Sequence, residues 1–197
     1  GEGDLQFTNS EKVKGGEVMK GVWNKVLRVD LSRGTCKAEK VPDEVYEYFL
    51  GGEGLGAYFM WRESPRGTLP FDPANCLTFG AGTFNGIQQS GADKWATTAI
   101  SPSIYLNAGS AATASFGIEI KAAGYDAIVV TGRAEKPVYL VIDDDKAVLK
   151  GASRLWGKDA YETEDAIHAT EGDDFEVASI GQAGERGVRF ANIQTRK

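Results

Sequence analysis

The sequence is poor in the residues that build metal sites and disulfide frameworks. Its 197 residues include two cysteines, Cys36 and Cys76, and a single histidine, His168. No Cys-x-x-Cys motif is present, so neither a zinc site nor a disulfide framework is indicated. Because a 4Fe–4S cluster requires four thiolates, this chain cannot hold one by itself. The low cysteine content predicts a reducing, cytoplasmic compartment.

Long apolar runs and basic clusters are also missing. No run approaches the ~20 apolar residues of a membrane span, and the N-terminus has no signal-peptide h-region. The 28 acidic residues exceed the 22 basic ones, which gives a net charge of −6. A chain of that charge without a basic patch repels a phosphate backbone. We therefore expect no membrane partner and no nucleic-acid partner.

The order of the predicted elements indicates an α+β fold with a mostly antiparallel sheet. Two alternating runs around the turn Ser32-Arg33-Gly34 predict a β-hairpin. Strands then outnumber helices and follow one another in hairpins, which favours antiparallel pairing. Patterning predicts helices at 42–50, 55–61, 116–123 and 160–169, and further strands at 76–79, 94–100, 127–131, 138–142, 147–150, 176–180 and 188–193. Residues 1–18 are expected to be a flexible N-terminal extension, and residues 19–197 one domain.

Two glycine-rich segments imitate nucleotide-binding motifs. Gly52-Glu53-Gly54-Leu55-Gly56-Ala57 fits G-x-G-x-x-A, but a helix precedes it where the dinucleotide fingerprint needs a strand. We interpret it as a tight joint between two helices. The segment from Gly151 to Asp159 has five residues between its glycines, and Asp159 replaces the Ser or Thr of a P-loop. We interpret it as a loop that leads into a helix, and His168 as a surface residue of that helix.

The stretch from Gln88 to Phe116 has the composition of an anion site. Small residues at 107–115 precede a predicted helix at Phe116. Backbone N–H groups at a helix N-terminus can cradle an anion, and the Lys94 ammonium would complete such a site. The alternative is that the small residues allow close packing of the backbone.

A set of short segments in fixed order carries a resemblance to a known enzyme family. The segments lie at 25–31, 51–57, 71–75, 80–82, 101–102, 123–128, 132–140, 155–159 and 180–185. Together they resemble the N-terminal domain of the tungsten-pterin aldehyde ferredoxin oxidoreductases. Each segment alone is weak, but their collinear order over 20–195 is specific.

The resemblance implies both a fold and a cofactor. It implies two similar β-sheet halves that form a base under a bis-pterin, either tungstopterin or molybdopterin, with Mg²⁺ between the pterin phosphates. It further implies that helical domains absent from this chain supply the 4Fe–4S cysteines. The assembled enzyme would oxidise aldehydes to carboxylic acids and pass electrons to ferredoxin, with a homodimer as one form of the assembly.

The resemblance also assigns positions on the cofactor face, although none is catalytic or a metal ligand. Lys94 stands where the family has an arginine between pterin and cluster. Ala111 replaces an asparagine near the bridging metal, and Glu53 replaces an arginine. The cofactor-binding positions predicted in this way are Asp93, Lys94, Gly109, Ser110 and Ala111.

These departures leave two functions open. The chain is either the cofactor-supporting part of a larger oxidoreductase, inactive alone, or a stand-alone or degenerate scaffold that has lost metal-pterin binding. Further sequence beyond Lys197 with a cysteine cluster would favour the first function.

Overall fold

The computed structural model describes residues 21–195 of the chain. The extension predicted for residues 1–18 lies outside the described residues. Together with the domain bounds 19–197, it therefore stays a prediction. Within the described residues the fold has ten strands and five helices.

Six strands form the central sheet in the order β2-β1-β6-β3-β4-β5. Strands β1 and β6 pair in parallel, and the other neighbours are antiparallel. Strand β5 lies at one edge and pairs only with β4. The strands of this sheet are β1 (Lys25–Asp30), β2 (Thr35–Lys40), β3 (Leu77–Ala81), β4 (Trp95–Ile100), β5 (Asn107–Ala112) and β6 (Ala127–Thr131).

Alternation along the central strands gives the sheet two apolar faces. Val26 and Val129 pack with helices α1 (Asp43–Phe49) and α2 (Gly52–Glu63) on one face. Leu27 and Ile128 belong to a second cluster on the opposite face. That cluster includes Ile120 of helix α3 (Phe116–Ala122) and apolar residues of the next hairpin. Because successive side chains of a strand point to opposite faces, one sheet serves both clusters.

The second half of the chain forms smaller units. Strands β7 (Val138–Asp143) and β8 (Lys146–Gly151) make one hairpin, and β9 (Ala178–Ile180) pairs with β10 (Ile193–Thr195). Along the chain, helix α4 (Ala160–Glu171) follows the first hairpin and precedes β9. Asp159 caps its N-terminus and forms a capping box with Glu162. The remaining helix is the single turn α5 (Gln182–Glu185).

The α+β class and the mostly antiparallel pairing are confirmed, but the strands divide unequally. The described residues form one six-stranded and two two-stranded sheets. The physical reason is that the β7–β8 hairpin packs through Leu140, Ile142 and Leu149 onto a face of the central sheet. It therefore extends an existing core rather than building a second one.

Candidate functional site

Glycines let the N-terminus of α2 approach the central sheet closely. A Cβ atom on Gly80 of β3 would overlap the backbone of Gly52, and one on Gly56 would overlap Thr98 of β4. Helix α1 ends at Phe49, and α2 begins at Gly52. The joint between the two helices is therefore Leu50 and Gly51, just before the segment 52–57 to which it was assigned, and that segment forms the start of α2.

A surface cavity of about 260 Å³ lies at this joint. Its wall combines the start of α2 (Gly51 to Glu53), the beginning of β4 (Lys94 and Trp95) and Ala111 of β5. Thus Glu53, Lys94 and Ala111, which lie far apart in sequence, meet at one cavity. These are three of the positions at which, by the resemblance, the sequence departs from the family pattern.

The cavity presents donors suited to an anion. No side chain caps the N-terminus of α2, so its first amides, those of Gly52 and Glu53, have no acceptor within the helix. These amides carry the positive end of the helix dipole. The Lys94 side chain is exposed and makes no ion pair with any residue of 21–195. An ammonium group and free amides at one cavity favour a ligand of negative charge.

Glu53 gives the same cavity an acceptor. Its side chain is exposed, and its carboxylate lies against Gly109, where a Cβ atom would overlap it. None of the ion pairs in the described chain includes Glu53, so it does not neutralise Lys94. The cavity therefore has one free charge of each sign.

The other predicted site residues have different positions. Asp93 is half-buried before β4 and does not line the cavity. Ser110 pairs with Thr97 of β4 and, by strand alternation, faces away from the side shared by Gly109 and Ala111. No finding tests whether these five residues bind a cofactor, and that assignment stays a prediction.

Part of the stretch expected to form an anion cradle before α3 is a strand. Residues 107–112 form β5, an edge strand that pairs with β4 on one side, while no side chain caps the N-terminus of α3, so the cradle before α3 stays a prediction. The amides of Gly52 and Glu53 at the start of α2 are a further set of donors. Sequence reasoning missed them, although Gly51-Gly52 directly before a helical pattern is a signal for such a site.

The described residues offer no thiol or carboxylate cluster of their own. No group of three or more His, Cys, Asp or Glu side chains between residues 21 and 195 could hold a metal ion. Burial raises the pKa of both thiols, that of Cys76 to about 11, so both are poor nucleophiles at neutral pH. None of the helices over this range is long and apolar enough to cross a membrane.

Comparison with known proteins places this fold within one enzyme family. The model of the aldehyde ferredoxin oxidoreductase N-terminal domain matches residues 26–197. A tungsten-containing aldehyde ferredoxin oxidoreductase of Pyrococcus abyssi is 40% identical over 176 residues, which are 89% of this chain and 29% of the relative. The WOR-like subunit of an aliphatic sulfonate oxidoreductase of Pyrococcus furiosus is 34% identical, over 87% of this chain and 30% of the relative.

A solved structure shows the same fold. A chain in the active-site complex BamBC of benzoyl coenzyme A reductase, in complex with 1,5-dienoyl-CoA, superposes with a TM-score of 0.86 at 35% identity. The match covers 89% of this chain and 27% of that one. The present chain therefore spans less than a third of the length of these relatives. By its sequence and its fold, it belongs to the aldehyde ferredoxin oxidoreductase family and represents the N-terminal domain.

Proposed function

We propose that this chain is the cofactor-supporting domain of a tungsten or molybdenum bis-pterin oxidoreductase and is inactive alone. In the assembled enzyme, an aldehyde is oxidised to a carboxylic acid and ferredoxin accepts the electrons. The observation that carries the proposal is the cavity at which the Lys94 ammonium and the uncapped start of α2 meet. This is the one place in the described chain where the family's cofactor positions and an anion-binding geometry coincide.

The residues present fit a pterin bearing phosphates. Phosphate and thiolate groups are anionic acceptors, and the cavity offers them an ammonium and free amides. The buried indole Nε1 of Trp95, a residue that lines the cavity, has no acceptor among the described residues. Because this nitrogen is inaccessible to solvent, a ligand in the cavity does not reach it, and the fit rests on the ammonium and the amides.

Each residue then has a definite role toward the cofactor. When bound, a tungsten or molybdenum bis-pterin supplies the metal centre for two-electron oxidation of the substrate. Lys94 holds an anionic group of the pterin through one ammonium, without the planar fork that an arginine would provide. The amides of Gly52 and Glu53 orient a phosphate at the start of α2, and Gly80 and Gly56 keep that helix close to the sheet.

The proposal includes partners for this domain. Large apolar side chains are exposed to solvent, among them Leu50 beside the cavity (66% exposed) and Phe190 (87%). Such residues suit contacts with further domains. We assign these contacts to the helical domains that hold the 4Fe–4S cluster, within a cytoplasmic enzyme that serves ferredoxin and can form a homodimer.

Substitution of Lys94 in the assembled enzyme tests the proposal. A charge-assisted hydrogen bond contributes roughly 1.5–3 kcal/mol, so Lys94→Ala should lower tungsten or molybdenum retention by about tenfold or more. Lys94→Arg should retain the metal, because it keeps the charge. Lys136→Ala, at an exposed lysine away from the cavity, is the matched control. If Lys94→Ala retains as much metal as the Lys136→Ala control, the role assigned to Lys94 is contradicted.

A second candidate function is a scaffold that no longer binds metal-pterin. The observations that favour it are Ala111, which has no side-chain ligand atom, and Glu53, whose charge opposes an anion. Under this alternative, the assembled protein contains neither pterin nor metal. Metal analysis of the unsubstituted protein distinguishes the two functions.

A further inference from the structure

The segment that leads to Lys94 is a long loop. Residues 82–94 connect β3 to β4 and contain neither helix nor strand, and Lys94 is the last residue before β4 begins at Trp95. A loop of this length has many conformations available to it. Whatever fixes the end of the loop also fixes the direction of the exposed Lys94 side chain.

One residue, Asn85, ties the two ends of this loop together. Its Nδ2 group donates to the carbonyl of Ala92 at 2.9 Å, seven residues further along the chain. Its backbone amide donates to the carbonyl of Gly82 at 3.0 Å, and the amide of Gly82 donates in turn to the carbonyl of Lys94 at 3.2 Å. Asn85 is therefore connected to Ala92 directly and to Lys94 through Gly82.

The side chain of Asn85 fits a space that two glycines provide. It is 8% exposed, and a Cβ atom on Gly82 or on Gly117 of α3 would lie 3.2 Å from its Oδ1 atom. A Cβ atom on Gly82 would also lie 2.7 Å from the carbonyl oxygen of Lys94. The loop thus approaches α3 closely at Asn85, and its two ends approach each other closely at Gly82.

An amide at this position is a poor choice for stability alone. Its Oδ1 atom is buried and has no hydrogen-bond partner among the described residues, and an unpaired buried acceptor is costly. An apolar side chain of similar size would fill the same space without that cost. It could not, however, donate to Ala92, and this hydrogen bond closes the loop just before Lys94. The residue therefore suits the geometry of the loop better than the stability of the core.

We propose that Asn85 is a positioning residue of the anion site: it holds the loop 82–94 so that the Lys94 ammonium lies at the cavity. Asn85 does not itself line the cavity, so its effect passes through Gly82 and Lys94, which do. The inference rests on the proposed function, because it requires an anion that Lys94 holds. It adds the residue that sets the position of that charge.

Calorimetric titration of the 197-residue chain with pyrophosphate tests this role. Asn85→Leu keeps the approximate size of the side chain but removes the donor. We expect it to lower the affinity for pyrophosphate about three- to tenfold, a part of the effect of Lys94→Ala, because the ammonium is held less firmly. In the double variant, affinity should equal that of Lys94→Ala within about twofold, since Asn85 acts through the lysine.

Asn75→Leu is the matched control. Asn75 is a half-buried asparagine that donates to the carbonyls of Pro70 and Ile100 and accepts from the amide of Ile100. Ile100 is the last residue of β4, at the end opposite to Lys94. Asn75→Leu removes more hydrogen bonds than Asn85→Leu, so its urea midpoint should fall at least as far. Its affinity for pyrophosphate should nevertheless equal that of the unsubstituted chain. A merely structural role of Asn85 would instead make affinity follow stability in both variants.

The outcomes separate this inference from the proposed function. Unchanged affinity in Asn85→Leu, or a loss in the double variant clearly beyond that of Lys94→Ala, would overturn the positioning role. The proposed function survives either result if Lys94→Ala alone weakens binding. If the unsubstituted chain does not bind pyrophosphate, or if Lys94→Ala leaves binding unchanged, both are wrong. Circular dichroism shows whether each variant is folded. If Asn85→Leu is not, Asn85→Ser, whose side chain is too short to reach Ala92, replaces it.

Discussion

At the scale of single residues, Asp126 is the most heavily used polar group of the fold. It is 1% exposed and accepts hydrogen bonds from the Tyr46 hydroxyl at 2.7 Å and the Lys121 ammonium at 2.6 Å. The backbone amides of Trp23 and Lys25 also donate to it. One buried carboxylate therefore joins the start of β1, α1 and α3. Burial, together with the hydrogen bond to Asp126, raises the pKa of Tyr46 far above its usual range.

Asp126→Asn should strongly destabilise the chain. The amide cannot neutralise Lys121, which is itself 8% exposed, and an uncompensated buried charge typically costs about 3–5 kcal/mol. The free energy of unfolding, measured in urea, should fall by that amount. Asp173→Asn, at an exposed aspartate, should change it by less than about 0.5 kcal/mol. Equal stability of the two variants would show that the Asp126 network does not hold these elements together.

At the scale of elements, a closed ring of charges connects α2 to the first hairpin. Arg28 of β1 contacts Glu39 of β2 at 3.4 Å and Glu63 of α2 at 2.8 Å. Arg62 of α2 completes the ring, at 2.6 Å from Glu39 and 2.7 Å from Glu63. Both guanidinium groups also lie over the ring of Phe59. The four ion pairs hold the C-terminal end of α2 against the hairpin, while Gly56 and Gly80 allow its N-terminal end to approach the sheet at the cavity.

The ring should make stability depend on pH through Glu63. Burial acts to raise the pKa of this carboxyl, but hydrogen bonds from Arg28 and Arg62 outweigh it and lower the pKa below its usual 4.5. A lowered folded-state pKa stabilises the fold above the usual value, and this contribution is lost as the pH falls through the folded-state value. Glu63→Gln should therefore be less stable than the unsubstituted chain at neutral pH.

The difference in unfolding free energy between these two proteins should shrink as the pH falls below about 4.5. Urea unfolding at a series of pH values measures it, with Glu47→Gln as the control for a carboxyl without such partners. A difference that stays constant down to the acid limit would mean that the charge of Glu63 is not what stabilises α2.

The elements differ in how well the sequence predicted them. The β1–β2 hairpin was predictable because alternating apolar residues flank a turn at Gly34, which adopts a φ of 64°. Strand β5 was not, because its small residues lack the β-branched and aromatic side chains typical of strands. The segment is a strand because it pairs with β4 over its whole length. A strand at 188–193 was expected, but β10 begins only at Ile193.

The cavity was predictable only in part, for a related reason. The resemblance identified Lys94, Ala111 and Glu53 among the positions where this chain departs from the family. Their meeting at one cavity depends on the packing of α2 against the sheet, a contact over long sequence separation. The missed donors are backbone amides at the start of α2, which the sequence signals only through Gly51-Gly52 before a helical pattern.

At the scale of the whole molecule, the open edge of the central sheet and the cavity lie on the same side. Strand β5 has no neighbour beyond it among the described strands, and Ala111 on that strand lines the cavity. Exposed apolar side chains at Ile104 and Leu106 flank the start of β5. This side is where we propose that the domain contacts the rest of the assembled enzyme.

We propose that this domain supports a metal-pterin cofactor within a larger enzyme. The tungsten, molybdenum and pterin content of the protein, purified in assembled form from its native source, tests this role. We expect a stoichiometric amount of one of the two metals, accompanied by pterin, for each copy of this chain. A homogeneous, folded assembly that contains this chain but neither metal nor pterin would rule out the cofactor-supporting role and establish the scaffold function in its place.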